Sequence, residues 1–191
     1  MTRTVFARFS RWWLLAAVLV IVVAVGFGVS VRAQSGNFNQ RLIATGAGTT
    51  MLLGGTGAPR YIPVLTKVAF FAEVVNGVVK GSFECLALAP PAPAGPESGD
   101  FNTNIMYVTG SITSAEVDGD TMKLSGTSEC TGIGAGSNVP FTAIIRKGGP
   151  GARLTLTTRP PNDPPLVFEE ILVEGGFDIR PLALTVGQTN Q

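Results

Sequence analysis

The chain has 191 residues, no histidine, two cysteines, 24 glycines and 13 prolines, and only 14% of it is charged. That composition suits one turn-rich globular domain and argues against disorder or a coiled coil. The absence of histidine removes the central residue of Ser-His-Asp catalysis and of common zinc and haem sites.

The opening "MTRTVFARFSRWW" carries Arg3, Arg8 and Arg11 with no acid, and the uncharged "LLAAVLVIVVAVGFGVSV" follows. This is the basic and apolar pattern of an export signal, and "VRAQS" places Val31 and Ala33 where a signal peptidase would read before Gln34. Trp12 to Val31 also offers about 20 apolar-dominated residues, enough at roughly 1.5 Å per residue for an uncleaved helical anchor. Both readings of residues 1–33, signal peptide or membrane anchor, stay open, and both place the remainder outside the cytoplasmic membrane, since three arginines precede the segment and only Arg32 follows it. The expected localisation is therefore secreted, or tied to the outer face of that membrane, with the membrane itself a partner if the segment is kept. Residues 34–191 hold 10 basic and 13 acidic residues, so no basic footprint for nucleic acid is present.

Residues 34–60 read as a Gly/Thr-rich tether, ending in one edge strand at most. An all-β domain is expected over 61–182. "TKVAFFAEVV" and "VVKGSFECLAL" flank Asn76-Gly77, a strong hairpin signal, because a type I′ turn needs positive φ at both central positions. A two-residue loop sets Val74 opposite Val79, Ala72 opposite Gly81, Phe70 opposite Phe83 and Val68 opposite Cys85 on the core face. Glu73 and Lys80 pair on the outer face. A Pro-rich loop at 89–104 follows, since proline lacks the N–H that a sheet interior needs. The second hairpin is "IMYVTGSITSAEV" and "TMKLSGTSEC" around Asp118-Gly119. Its return strand alternates, with Met122, Leu124, Gly126, Ser128 and Cys130 on the core side and Thr121, Lys123, Ser125, Thr127 and Glu129 outside. "VPFTAIIR" and "ARLTLTT" bracket "KGGPG", and "LVFEEILVEGGFDI" is one long strand broken at Gly175-Gly176, or two short ones. Residues 183–191 form a tail. The fold class expected is an antiparallel β-sandwich or small barrel of consecutive hairpins behind one N-terminal hydrophobic helix.

Each hairpin carries "AEV" on its outgoing strand and cysteine late on its return, at Cys85 and Cys130. Neither cysteine has a histidine to activate it, and each follows an acid, Glu84 or Glu129, that disfavours a thiolate. Core-facing parity in an exported chain points instead to a Cys85–Cys130 disulfide, worth roughly 4 kcal/mol in the chain-entropy account. Carboxylates at Glu169, Glu170, Glu174 and Asp178 are the candidates for a histidine-free hydrolase. Glu170 and Glu174 share parity with Leu166 and Leu172, and nothing in the spacing sets two acids across a cleft. Asp118 and Asp120 are calcium ligands only if a turn is not their whole role, and Arg146, Lys147 and Arg153 around glycines form either an anion-binding nest or a solubilising hairpin tip.

Taken in order, "VTGSITSAEVDGDTMKLSGTSE", "VPFTAIIRKGGPGARLTLTT" and "LVEGGFDI" with its Gly-Gly-x-x-Ile resemble the post-COAP-1-type domains of bacterial exported proteins, over about residues 67–179. The chain differs from them in its Pro-rich insertion and its cysteine pair. The resemblance implies an all-β exported module and lends no catalytic residue, cofactor or metal. Three functions are therefore carried forward. The first is a non-catalytic extracellular binding, accessory or structural module with a protein partner. The second is a barrel that carries a small apolar ligand against Phe70, Phe83, Tyr107 and Phe141, and the third a carboxylate-based hydrolase.

Overall fold

The computed structural model describes residues 40–60, 62–91 and 99–183. Among the described residues eight strands run in chain order: β1 (Gln40–Gly54), β2 (Leu65–Val75), β3 (Val78–Ala89), β4 (Thr103–Asp118), β5 (Thr121–Gly132), β6 (Gly136–Arg146), β7 (Arg153–Thr158) and β8 (Leu166–Ala183). Each pairs antiparallel with the next, and β8 returns to pair with β1, so the sheet closes into a barrel. Closure settles the choice between sandwich and barrel, and it removes the exposed edges an open sheet would leave. The expected N-terminal helix, the cleavage site at Ala33 and Gln34, and most of the tail lie outside the described residues. Among the described residues no helix is long and apolar enough to cross a membrane.

The first hairpin has the register its turn dictates. Val74 faces Val79, Ala72 faces Gly81, Phe70 faces Phe83 and Val68 faces Cys85, across a turn in which Asn76 and Gly77 have φ of 51° and 79°. Glu73 does lie opposite Lys80, but its carboxylate accepts a hydrogen bond from Arg41 of β1 instead. The second hairpin turns one residue later than expected. Asp118 pairs with Thr121, so the loop is Gly119-Asp120, with the positive φ of 58° at the glycine, as a loop with Gly at its first central position favours. The alternation on β5 holds: Met122, Leu124, Ser128 and Cys130 are buried, and Lys123, Thr127 and Glu129 are exposed.

Two differences matter most. Residues 40–54 are not a tether or an edge: β1 is a 15-residue strand bonded on both sides. Its inward positions include Ala44, Gly46 and Gly48, which take up almost no volume themselves. A Cβ built at Gly46 would stand 2.4 Å from Phe70 Cε1 and 2.6 Å from Phe177 Cδ1, so the two rings pack over the glycine with centroids 5.6 Å apart. β8 is likewise one strand of 18 residues, with a bulge beside Val173, where Thr49 pairs with Glu174 and Thr50 with Leu172. A bulge adds one residue and so reverses the alternation beyond it. Phe168, Glu170 and Leu172 point inward before it, Phe177 and Ile179 after it.

The expected disulfide is also corrected. Cys85 and Cys130 are both buried and both free thiols. They occupy one row of the barrel, but Val108 of β4 stands between them, paired with each. Adjacent strands lie about 4.8 Å apart, so two strand spacings put the cysteines about 9–10 Å apart, beyond the roughly 7 Å that a disulfide can span. The two cysteines do share parity, and the intervening strand is what parity cannot register. Full-length protein unfolded without reductant is accordingly expected to take up two alkyl groups; an intact mass two hydrogens light, with no alkylation, would overturn this.

The interior is filled by side chains, as an eight-stranded barrel permits. Phe83, Met122, Leu124, Val139, Ala143, Ile145 and Leu154 are fully buried, and Phe83 stacks on Phe141 with centroids 5.2 Å apart.

Candidate functional site

Among the described residues the interior carries one carboxylate. Glu170 sits in the apolar run of β8 with Phe168 and Leu172 beside it, and register places Leu52 of β1 and Leu154 of β7 across from it. It is 3% exposed. Its Oε2 accepts a hydrogen bond from Thr50 Oγ1, and Thr50 Oγ1 also lies 3.2 Å from the Thr66 carbonyl oxygen. The Thr66 hydroxyl reaches the same carboxyl. Burial pushes Glu170 up to about 7, and the two hydroxyls, which favour the charged form, hold it from going higher.

Glu170 borders a small cavity at the end of the barrel that carries the β1–β2, β5–β6 and β7–β8 connections. Its floor is Glu170, Thr66 and Cys85, and its apolar wall includes Leu52, Val64, Ala87, Met106, Leu156 and Phe168. Pro59, Ile105 and Ile133 also line it and, like Leu52 and Ala87, they are only half-buried, so these five mark its mouth. The enclosed room is ≈ 10 Å³, about what one water molecule needs. Burial pushes the Cys85 thiol well above its ordinary value, and the charges of Glu170 and Cys130 add to the effect. Cys130 is raised too, chiefly by burial. Neither thiol is poised as a nucleophile.

The other sequence candidates are scattered. Glu169 and Glu174 are exposed, and Asp178 is on the outer face, where Arg180 and Lys147 pull its carboxyl below the usual range. The four acids therefore do not converge. Asp118 ends β4 and Asp120 is the second residue of the turn, and the Asp120 carbonyl accepts the Lys147 N–H at 2.7 Å. Among the described residues no group of three or more His, Cys, Asp or Glu is placed to hold a metal ion. In the 147–151 loop the amides of Gly148 and Gly151 donate to Phe177 and Leu172 carbonyls, and Lys147 Nζ lies 3.1 Å from Asp178 Oδ1 and 3.1 Å from the Ile179 carbonyl oxygen. The Lys147 ammonium and the Gly148 and Gly151 amides are thus turned to β8, and Arg146 and Arg153 are exposed beside the loop. Phe70, Phe83 and Phe141 are core residues, whereas Tyr107 lies outside, in an open groove with Lys67, Glu84, Leu86 and Asn104.

Sequence reasoning misses Thr50 and Thr66. Thr50 lies in the segment that reads as a tether, and Thr66 opens the strand "TKVAFFAEVV" on the parity of Val68 and Phe70 but has no polar partner within its own hairpin. The one available signal is that Glu170 alternates with Phe168 and Leu172, a carboxylate on core parity in mid-strand that requires hydroxyl partners.

Comparison of the chain with protein-family models, with curated proteins and with solved structures finds no match.

Proposed function

We propose that the chain is an exported, non-catalytic β-barrel module that works by binding. The observation that carries this reading is packing. The side chains that point into the barrel fill it, and its interior acid is bonded to Thr50 and Thr66 in a space the size of a water molecule. A carboxylate-based hydrolase would need a second acid facing Glu170, and Glu169, Glu174 and Asp178 lie on the other side of the barrel wall. The outer face offers a surface for a partner: Leu65, Met51 and Ile171 stand in one row across β2, β1 and β8, and the nearby Leu53 and Val173 are 47% and 44% exposed. Export rests on the Arg-led apolar segment of residues 1–33, and the resemblance to post-COAP-1-type domains is in keeping with it.

Fractionation of cells that produce the full-length chain tests the reading. The β domain is expected outside the cytoplasmic membrane, either beginning at Gln34 or intact and membrane-bound, and open to added protease there. Recovery of intact chain in the cytosol, shielded from that protease, would refute export.

A second reading has its own support. The cavity floored by Glu170 opens toward half-buried Pro59, Ile105 and Ile133, and an apolar pocket with a few convergent polar groups is the usual form of a small-ligand site. This is the carrier alternative, with the ligand at one end of the barrel rather than among Phe70, Phe83, Tyr107 and Phe141.

A further inference from the structure

We propose that this cavity is a head-group site for a small apolar amine, whose ammonium sits against Glu170, Thr66 and Cys85 and whose alkyl tail lies among the side chains of the mouth. The inference rests on the carrier reading and names the chemistry that reading leaves open.

The size of the room limits what can enter. Its ≈ 10 Å³ match a group as large as water, which an ammonium or a hydroxyl is and a ring or a carboxylate is not. Around the polar floor the lining side chains, Leu52, Pro59, Val64, Ile105, Ile133 and Phe168 among them, are apolar, so the remainder of the ligand must be apolar.

Charge then selects among the small groups. Glu170 is met by Thr50 and Leu52 from β1, Thr66 from β2, Cys85 from β3 and Leu154 and Leu156 from β7. Cys85 is the one titratable group among these, and burial keeps it neutral. Among the described residues no basic side chain forms an ion pair with Glu170. Once ionised, its carboxylate is a buried charge held only by hydroxyls, and such a charge is costly until a counter-charge joins it. An ammonium supplies that charge and three donors, for which the carboxylate, the Thr66 hydroxyl and the Cys85 sulfur are acceptors. An alcohol of equal length fits the same room and can donate one hydrogen bond to the carboxylate, but it brings no positive charge, so the buried carboxylate stays without a counter-charge. A carboxylate ligand is repelled.

Titration of the full-length protein at pH 8 with n-butylammonium, n-butanol and n-butanoate, followed by saturation-transfer NMR, tests this against Glu170→Gln. The N-terminal segment is the same in both proteins, so non-specific partition cancels. In the wild type the ammonium is expected to bind at least tenfold more tightly than the alcohol, with butanoate weakest. In Glu170→Gln that preference should disappear. Equal binding of amine and alcohol to the wild type, or an ammonium preference that survives in Glu170→Gln, overturns the head-group assignment and leaves the carrier reading standing. No binding of any of the three to either protein overturns both.

Discussion

Glu170→Gln protein is expected to be more stable than wild type at pH 8 by about 3 kcal/mol, and close to it at pH 5. The carboxyl is raised from 4.5 to about 7 by burial in the barrel, and each tenfold change in proton affinity corresponds to about 1.4 kcal/mol between the two protonation states. The direction follows from linkage. The folded state holds the proton more tightly than the unfolded chain, so the group's stabilising contribution is complete below about pH 4.5. It declines as the pH rises between the unfolded and folded values and is gone above about 7. Glutamine has the shape of the protonated acid and cannot ionise, and its carbonyl oxygen can still accept the Thr50 hydroxyl. The variant should therefore lack this component of the pH dependence. Urea unfolding of both proteins at pH 5 and pH 8 measures it. A variant less stable than wild type at pH 8 would mean that the ionised carboxylate is stabilised by a partner other than the two threonine hydroxyls.

The same residue marks how far sequence reasoning reaches. Parity puts Glu170 and Glu174 on one face with Leu166 and Leu172, a contradiction for an ordinary strand. The bulge beside Val173 resolves it by reversing the alternation, which leaves Glu170 inside and Glu174 outside. A bulge is a property of two paired strands, and here the partner is β1, the strand hardest to see. What is legible is local: the register of β2 on β3 follows from Asn76-Gly77, and the buried set of β5 from simple alternation. What is not legible depends on closure. The distance between Cys85 and Cys130 depends on the strand lying between them. The Thr50–Glu170 bond joins the first strand to the last, and no periodicity within either segment announces it.

β1 is hard to see in the sequence for a physical reason that can be tested. A strand is recognised by large inward residues, and at Gly46 and Gly48 β1 has none, because its neighbours supply the volume. Gly46 lies directly between Phe70 of β2 and Phe177 of β8, and both rings are at most 5% exposed. Gly46→Val would insert three carbons where even the first stands 2.4 Å from a ring atom. Overpacking of a filled core costs about 1–3 kcal/mol and more where the neighbours cannot yield, so a loss of about 3 kcal/mol or more is expected. Outward-facing Thr45 is the control, and Thr45→Val should change stability by less than about 0.5 kcal/mol. A tether would be indifferent to both substitutions. The decisive arm is the double variant. Phe70→Ala alone should cost about 3–5 kcal/mol by leaving a cavity, but that cavity is the space the valine at position 46 needs. Gly46→Val with Phe70→Ala is therefore expected to lose at least about 1 kcal/mol less than the two single losses added together, the coupling that contacting residues show. Strict additivity in urea unfolding would separate the two positions and with them the closure of the barrel through β1.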